Sequence, residues 1–250
     1  MRGGHLADRR ALITGAGSGL GAAIAGVFAR EGARLVLVDR NDTGLTQVAG
    51  KLGDAVSHTI CADLSDASVC DKIVQEAVAT FGGLDILVNN AAILHFALSP
   101  DVTPEMWDKT LAVNLSAPFH LIRSALPHLL AACGNVVNIA SSGAIIGTAY
   151  TTAYSTAKAG LIHMTKCLAM EYARQPIRIN AVAPGAMRTN IGTDLSIPDA
   201  ADRDLMARYS GLRPAVDPIE VAELVAFVAS PRGSAVHGAC LSVDGGVTAG

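Results

Sequence analysis

Short apolar runs alternate with longer amphipathic stretches along this chain, and that alternation limits the possible fold more than any other feature. Ala11–Thr14, Leu35–Val38, Ile86–Val88, Val136–Ile139, Ile177–Val182 and Cys240–Val243 read as strands. Their hydrophobicity is near-continuous instead of alternating, which marks strands buried on both faces of a parallel sheet. Helical patterns fall between them at about 19–31, 66–81, 104–132, 154–173 and 217–230. Strand and helix in turn predict a doubly wound α/β sheet with right-handed crossovers and helices on both faces.

Nothing in the sequence divides residues 1–250: there is no linker, low-complexity tract or internal repeat, so one domain is expected. Half of the residues are hydrophobic and 16% are charged, enough apolar material for a large core and too little charge for a disordered chain. A net charge of −3 leaves no basic footprint for nucleic acid and no polybasic arm for a membrane. Cys61, Cys70, Cys133, Cys167 and Cys240 form neither a CxxC pair nor a Cys/His cluster, so no disulfide framework or metal site is indicated. Three arginines lie in the first ten residues, but no apolar signal core follows. No apolar run approaches the roughly 20 residues that span a bilayer. A cytoplasmic protein is expected. The longest stretch of undefined structure, 185–214, follows a strand and is read as a substrate loop or lid, or as a surface excursion without a role.

The first strand runs into Thr14-Gly-Ala-Gly-Ser-Gly-Leu-Gly21, and a helix follows. Gly15, Gly19 and Gly21 give the spacing GxxxGxG, a variant of the dinucleotide fingerprint. Glycine permits the tight turn and lets backbone N–H groups approach a pyrophosphate, which the helix N-terminus also favours. A glycine turn alone also ends ordinary strands. Asp39 adds weight, because it closes the second strand about twenty residues on, where a carboxylate accepts the adenosine ribose hydroxyls. The same charge repels the 2′-phosphate of NADP and so selects NAD. Arg40 opposes that, since a guanidinium pairs with a phosphate.

Tyr154-Ser-Thr-Ala-Lys158 is the strongest local pattern. Four residues along a helix bring both side chains to one face. A tyrosine of pKa about 10 needs about 3–4 kcal/mol to become a working base near neutrality. One ammonium at about 4–5 Å, at an effective dielectric near 20, supplies about that much. By itself the spacing also fits a tyrosine whose lysine neighbour merely lays its stem along the surface.

In order along the chain stand the glycine turn, Asp39, Asn89-Asn-Ala-Ala92, Val113-Asn114, Asn138-Ile-Ala-Ser141, Tyr154 with Lys158, Pro184-Gly185 with Thr189, and Val243-Asp-Gly-Gly246. This set, from about Leu6 to Gly246, closely resembles the single-domain branch of the short-chain dehydrogenase/reductase family. The resemblance implies a Rossmann-like fold and a tetrad of Asn114, Ser141, Tyr154 and Lys158. Tyr154 would exchange a proton with the substrate oxygen while hydride moves to or from nicotinamide C4. Ser141 would steady that oxygen. Lys158 would lower the Tyr154 pKa and hold the nicotinamide ribose, and Asn114 would interrupt its helix and anchor a water. Cofactor contacts would come from Gly15, Ser18, Gly19, Leu20, Asp39, Arg40, Asp63, Leu64, Asn90, Ala91, Tyr154, Lys158, Pro184, Gly185, Met187 and Thr189. The family often has glycine where this chain has Ala92, and Ser-Ser where it has Ala140-Ser141 followed by Ser142.

His95, Phe96, Ser142, Ala144, Tyr150, Met187, Ile191 and Leu195 are candidates for the substrate side. Most are small or apolar, and no arginine stands ready to clamp a carboxylate or phosphate. A neutral or largely hydrophobic alcohol or ketone is therefore expected. Two other readings compete with an NAD-dependent alcohol oxidoreductase: an NADPH-dependent 3-oxoacyl-carrier-protein reductase, and a non-catalytic dinucleotide sensor or scaffold. The resemblance also implies a homotetramer or dimer. Leu161, Met164, Leu168 and Met170 put apolar groups on more than one side of a helix, as such packing requires.

Overall fold

The computed structural model describes residues 4–187, 196–209 and 213–249. Seven strands form one parallel sheet: β1 (Arg10–Thr14), β2 (Arg34–Asp39), β3 (Val56–Cys61), β4 (Ile86–Asn89), β5 (Asn135–Ile139), β6 (Arg178–Pro184) and β7 (Cys240–Val243). Their spatial order is β3-β2-β1-β4-β5-β6-β7. The chain thus lays strands outward from β1 on one side, crosses back, and lays the rest outward from β4. In-register pairs such as Leu12 with Val36 and Leu87 hold β1 between β2 and β4. The helices are α1 (Gly19–Arg30), α2 (Asp42–Leu52), α3 (Ser68–Phe81), α4 (Pro104–Leu111), α5 (Ala117–Ala131), α6 (Thr152–Glu171), α7 (Arg203–Ala207) and α8 (Pro218–Ala229).

Alternate residues of the buried strands feed two cores. Ile13, Leu35, Leu37, Val88 and Val137 pack under α1 and α8. Leu12, Val36, Leu87, Val136 and Ile179 pack under α3, α5 and α6. This is why the strand runs lack alternation: both faces are covered.

Helix starts follow local chemistry. Asp217 and Glu220 form a reciprocal capping box ahead of α8, with Pro218 in the first turn. Thr103 accepts from Met106 N before α4, and Asn41 accepts from Gly44 N before α2. The stretch expected as one helix over 104–132 is two, joined by a π-helical turn at Ala112–Ser116. Three elements were not foreseen at all: α2, α7 and the edge strand β3.

At the sheet's amino-terminal edge, the Arg178 guanidinium donates to the carbonyls of Val228 (2.7 Å), Gly233 (2.8 Å) and Ser230 (3.1 Å). A cation there faces the negative end of the α8 dipole and satisfies its last carbonyls. Arg178→Met should therefore destabilise the fold by about 2–4 kcal/mol, because part-buried carbonyls lose their partners. A denaturant midpoint equal to that of the unaltered protein would show that water replaces the guanidinium.

Candidate active site

Every glycine-turn and catalytic residue sits at the carboxyl edge of the sheet, where the strand order reverses between β1 and β4. A cleft of about 430 Å³ opens there, lined by residues following β1, β2, β4, β5 and β6 and by Tyr154 and Lys158 of α6. A side recess of about 80 Å³ continues from it past Asp39 and Arg40 to Asp63 and Leu64.

The glycine turn is shaped by close approaches. Gly15 has φ +66°, and a Cβ on it would lie 2.7 Å from Ala91 Cα. A Cβ on Gly21 would lie 1.9 Å from the Gly15 carbonyl oxygen. Asn90 braces the turn from β4, its Nδ2 donating to the carbonyls of Thr14 and Gly15, both at 3.0 Å. Ser18 occupies the cap position of α1 but makes no side-chain cap, and no acidic residue lies in the first turn. The positive end of a twelve-residue helix therefore opens on the cleft with no carboxylate in its own first turn. That arrangement fits a pyrophosphate.

Asp39 ends β2 facing this turn. Its Oδ2 accepts from Gly17 N at 2.9 Å and its Oδ1 from Asn41 N at 3.0 Å. A carboxylate has about four acceptor positions, so these two bonds leave room for two ribose hydroxyls. Arg40 is exposed beside it and lines both the cleft and the recess. Asp63 accepts from Ser65 N at 2.9 Å, and this bond, against opposing burial, holds its carboxyl below the ordinary range.

The catalytic candidates converge on the cleft floor. Ser141 follows β5 in extended conformation, and its Oγ accepts from Gly143 N at 3.1 Å, leaving its own proton to donate elsewhere. Lys158 is almost wholly buried, and its Nζ donates to the Ile139 carbonyl at 2.7 Å. Burial pulls its ammonium down to about 7. Tyr154 is partly open to the cleft, with the Lys158 Nζ standing 6.0 Å from its ring centre. Burial holds its phenol above the ordinary tyrosine value, and the hydrogen bond with Ser141 offsets only part of that rise.

Asn114 is also placed differently from a cleft residue. It is fully buried within the π turn, its Oδ1 accepting from Ile93 N at 2.9 Å and its Nδ2 donating to Ile93 O at 2.8 Å. The side chain is spent on clamping the segment after β4 to the interrupted helix. A π turn at this point matches the expected helix interruption.

Pro184, Gly185 and Met187 line the cleft as expected, whereas Thr189, Ile191 and Leu195 lie outside the described residues. Gly185 must be small, since a Cβ would sit 2.7 Å from Asp244 Cα, and its N–H donates to Val243 O at 3.0 Å. The Val243-Asp-Gly-Gly246 stretch thus backs the end of β6. Met187 pairs with Val216, so the loop expected over 185–214 leaves and returns at one point beside the cleft. Of the residues proposed for the substrate side, His95 and Tyr150 share a small recess with Tyr154.

A buried polar chain went unread in the sequence. Asn89 Nδ2 donates to Asn138 Oδ1 at 2.8 Å, and Asn138 Nδ2 donates to Thr165 Oγ1 at 2.9 Å, tying β4 and β5 to α6 beneath the catalytic pair. The signal was present as two asparagines inside apolar strands, since a buried amide requires partners.

Residues 15–248 match the profile of a family described as enoyl-(acyl carrier protein) reductase. Oxidoreductase UcpA of Salmonella typhimurium is 37% identical over 254 residues, covering 98% of this chain and 96% of that protein. Among solved structures, a 3-ketoacyl-(acyl-carrier-protein) reductase from Brucella melitensis, complexed with NADH, superposes with a TM-score of 0.89 at 36% identity, covering 97% of this chain and 99% of that one. A putative NAD(P) dependent gluconate 5-dehydrogenase from Beutenbergia cavernae with bound NADP (low occupancy) gives a TM-score of 0.88 at 36% identity, over 98% of both chains. The chain belongs to the short-chain dehydrogenase/reductase family and is an oxidoreductase of Rossmann-like fold. Among the described residues, no helix is long and apolar enough to cross a membrane.

Proposed function

We propose that the protein is an NAD(H)-dependent oxidoreductase that interconverts a secondary alcohol and a ketone, both neutral or largely apolar. One observation carries the reading: Ser141, Tyr154 and Lys158, from β5 and α6, meet in the same cleft whose other end is bounded by the glycine turn and Asp39. A nicotinamide dinucleotide bound there would supply the hydride exchange. Tyr154 takes or returns the proton of the substrate oxygen. Ser141 turns its O–H toward that oxygen and steadies the charge that develops on it. Lys158 has donors to spare beyond its bond to Ile139, and these serve the nicotinamide ribose. With the Asn114 side chain occupied by Ile93, its backbone carbonyl is the group left to hold a relay water.

Solved relatives carry either dinucleotide, so the choice of NAD rests on Asp39. Titration by fluorescence should show NADH binding at least about tenfold more tightly than NADPH. Asp39→Ala should weaken NADH by about 10- to 150-fold, the worth of hydrogen bonds to a charged acceptor, and so narrow the gap. NADPH binding more tightly to the unaltered protein would mean that Arg40 outweighs Asp39. That result, with turnover of an acyl thioester, would put a 3-oxoacyl-carrier-protein reductase first, a reading favoured by the exposed Arg40 at the ribose end. Binding of dinucleotide with no turnover across an alcohol and ketone panel would leave a sensor or scaffold.

The site and composition suit a cytoplasmic homotetramer or dimer. Leu161 and Leu168 are buried in the subunit's own core, while Phe119 and Met170 remain exposed as material for contact with a copy. A light-scattering mass of one subunit at working concentration would exclude assembly.

A further inference from the structure

Tyr150 lies four residues before Tyr154 with φ +66°, in the left-handed region that glycine and asparagine tolerate and a bulky residue does not. The other non-glycine residues with positive φ among those described, Asp8 and Cys133, sit in turns just before β1 and β5, at the far edge of the sheet. Tyr150 is strained beside the cleft, and strain there calls for a role for the side chain.

The phenol has one. Its oxygen accepts from Asp202 N at 2.8 Å. Asp202 caps α7, its carboxylate accepting from Asp204 N at 2.8 Å and Leu205 N at 3.3 Å. The Tyr150 carbonyl meanwhile accepts from Ala97 N at 2.9 Å. One residue therefore joins the segment after β4, the turn entering α6, and the loop bearing α7. The Tyr150 ring also lines a recess with Tyr154, His95, Met106 and Thr110. That recess measures about 10 Å³, room for no more than one water.

The geometry points to Tyr150 as a specificity-determining residue: its ring, pinned by Asp202, fills the space beside Tyr154 and keeps the larger substituent of the alcohol from that side. The inference rests on reading Tyr154 as the acid/base, since that places the substrate oxygen next to this recess. The backbone strain and the Asp202 bond follow as the means of holding the ring in place.

Two variants separate the ring from its pin. Tyr150→Asn removes the ring and keeps a residue that accepts positive φ, so folding is not the confounder. Tyr150→Phe keeps the ring and removes the bond. With NAD and two probe alcohols, 2-propanol and cyclohexanol, Y150N should raise the kcat/KM ratio of cyclohexanol to 2-propanol by about tenfold or more, the size of effect that pocket volume produces. The change should appear mainly in KM. Y150F should shift that ratio less, and should speed deuterium uptake over 202–207 by about 2- to 12-fold, as loss of one hydrogen bond does. An unchanged ratio in Y150N would overturn the proposal, as would equal loss of kcat for both alcohols with KM unmoved. Unchanged uptake in Y150F would remove the pin. Uptake requires no turnover, so it judges the pin even if the unaltered protein oxidises neither alcohol, a result that counts against the proposed function instead.

Discussion

Tyr154→Phe should lower kcat/KM for alcohol oxidation by about 10²- to 10⁴-fold, the range of a lost general acid/base, while the affinity for NADH stays within about threefold. The ring remains, so the wall of the cleft and the packing of α6 are kept; only the atom that exchanges the proton goes. That loss corresponds to about 3–5 kcal/mol of barrier. The separation of the two readouts matters, because Lys158, Gly15 and Asp39 hold the dinucleotide without help from the phenol in the reading given above. Steady-state rates with NAD and a fluorescence titration of NADH test it together. Unchanged turnover would remove Tyr154 from the chemistry. A collapse in NADH affinity would make it a binding residue.

Lys158→Met should abolish most activity, by a similar about 10²- to 10⁴-fold, and yet make the protein more stable at neutral pH. Among the described residues the buried ammonium has a carbonyl for a partner and no carboxylate, and burial pulls its pKa down to about 7 from the ordinary value near 10.4. Below about 7 the folded and unfolded chains both carry the proton, and the cost of the buried charge is present in full. Between about 7 and about 10.4 the unfolded chain binds more protons than the folded one, so stability rises with pH and the cost is relieved. Methionine of similar shape removes that cost, offset by the Ile139 carbonyl it leaves unpaired. A net gain of about 1–3 kcal/mol is expected at pH 6.5, a rise in Tm of several degrees for a chain of this size. Calorimetry at pH 6.5 and 9.5 should show the gain shrinking at the higher pH. A lower Tm at pH 6.5, or a gain that does not depend on pH, would mean that the lysine charge is compensated in the folded state.

The parts of the fold that were legible are those whose environment is uniform. Leu35–Val38 and Val136–Ile139 are covered on both faces, so their sequence is a plain apolar run and the strand shows at once. β3 is different because it is the edge: Ser57, His58 and Thr59 keep partial contact with solvent, and the run is broken. α2 escaped notice because Thr43, Gly44, Thr46 and Gly50 are poor helix formers; packing of Leu45 and the Asn41 cap hold it instead. The split of 104–132 at a π turn leaves no mark on the apolar periodicity and was expected only through the resemblance at Asn114, whose side chain is bonded to Ile93 in the segment after β4. At the site, residue types and order placed Ser141, Tyr154, Lys158, Asp39 and the glycines correctly in one cleft. What the order of residues could not convey was distance and occupancy. The Lys158 ammonium already donates to the Ile139 carbonyl, the Asn114 amide is already engaged, and Asp39 already serves two backbone N–H groups.

The position of β1 between β2 and β4 has a consequence for how the chain comes together as it is synthesised. Residues 10–61 suffice to lay down β1, β2 and β3 side by side, yet one edge of β1 stays bare until Ile86–Asn89 has emerged. That edge is a row of unpaired backbone groups on a strand meant to be buried, a feature that invites wrong partners. Pairing across the centre closes a loop of about seventy-five residues, slow by the measure of sequence separation. An emerging chain shorter than about ninety residues should therefore depend on chaperones, or on dilution, far more than one that has passed Asn89.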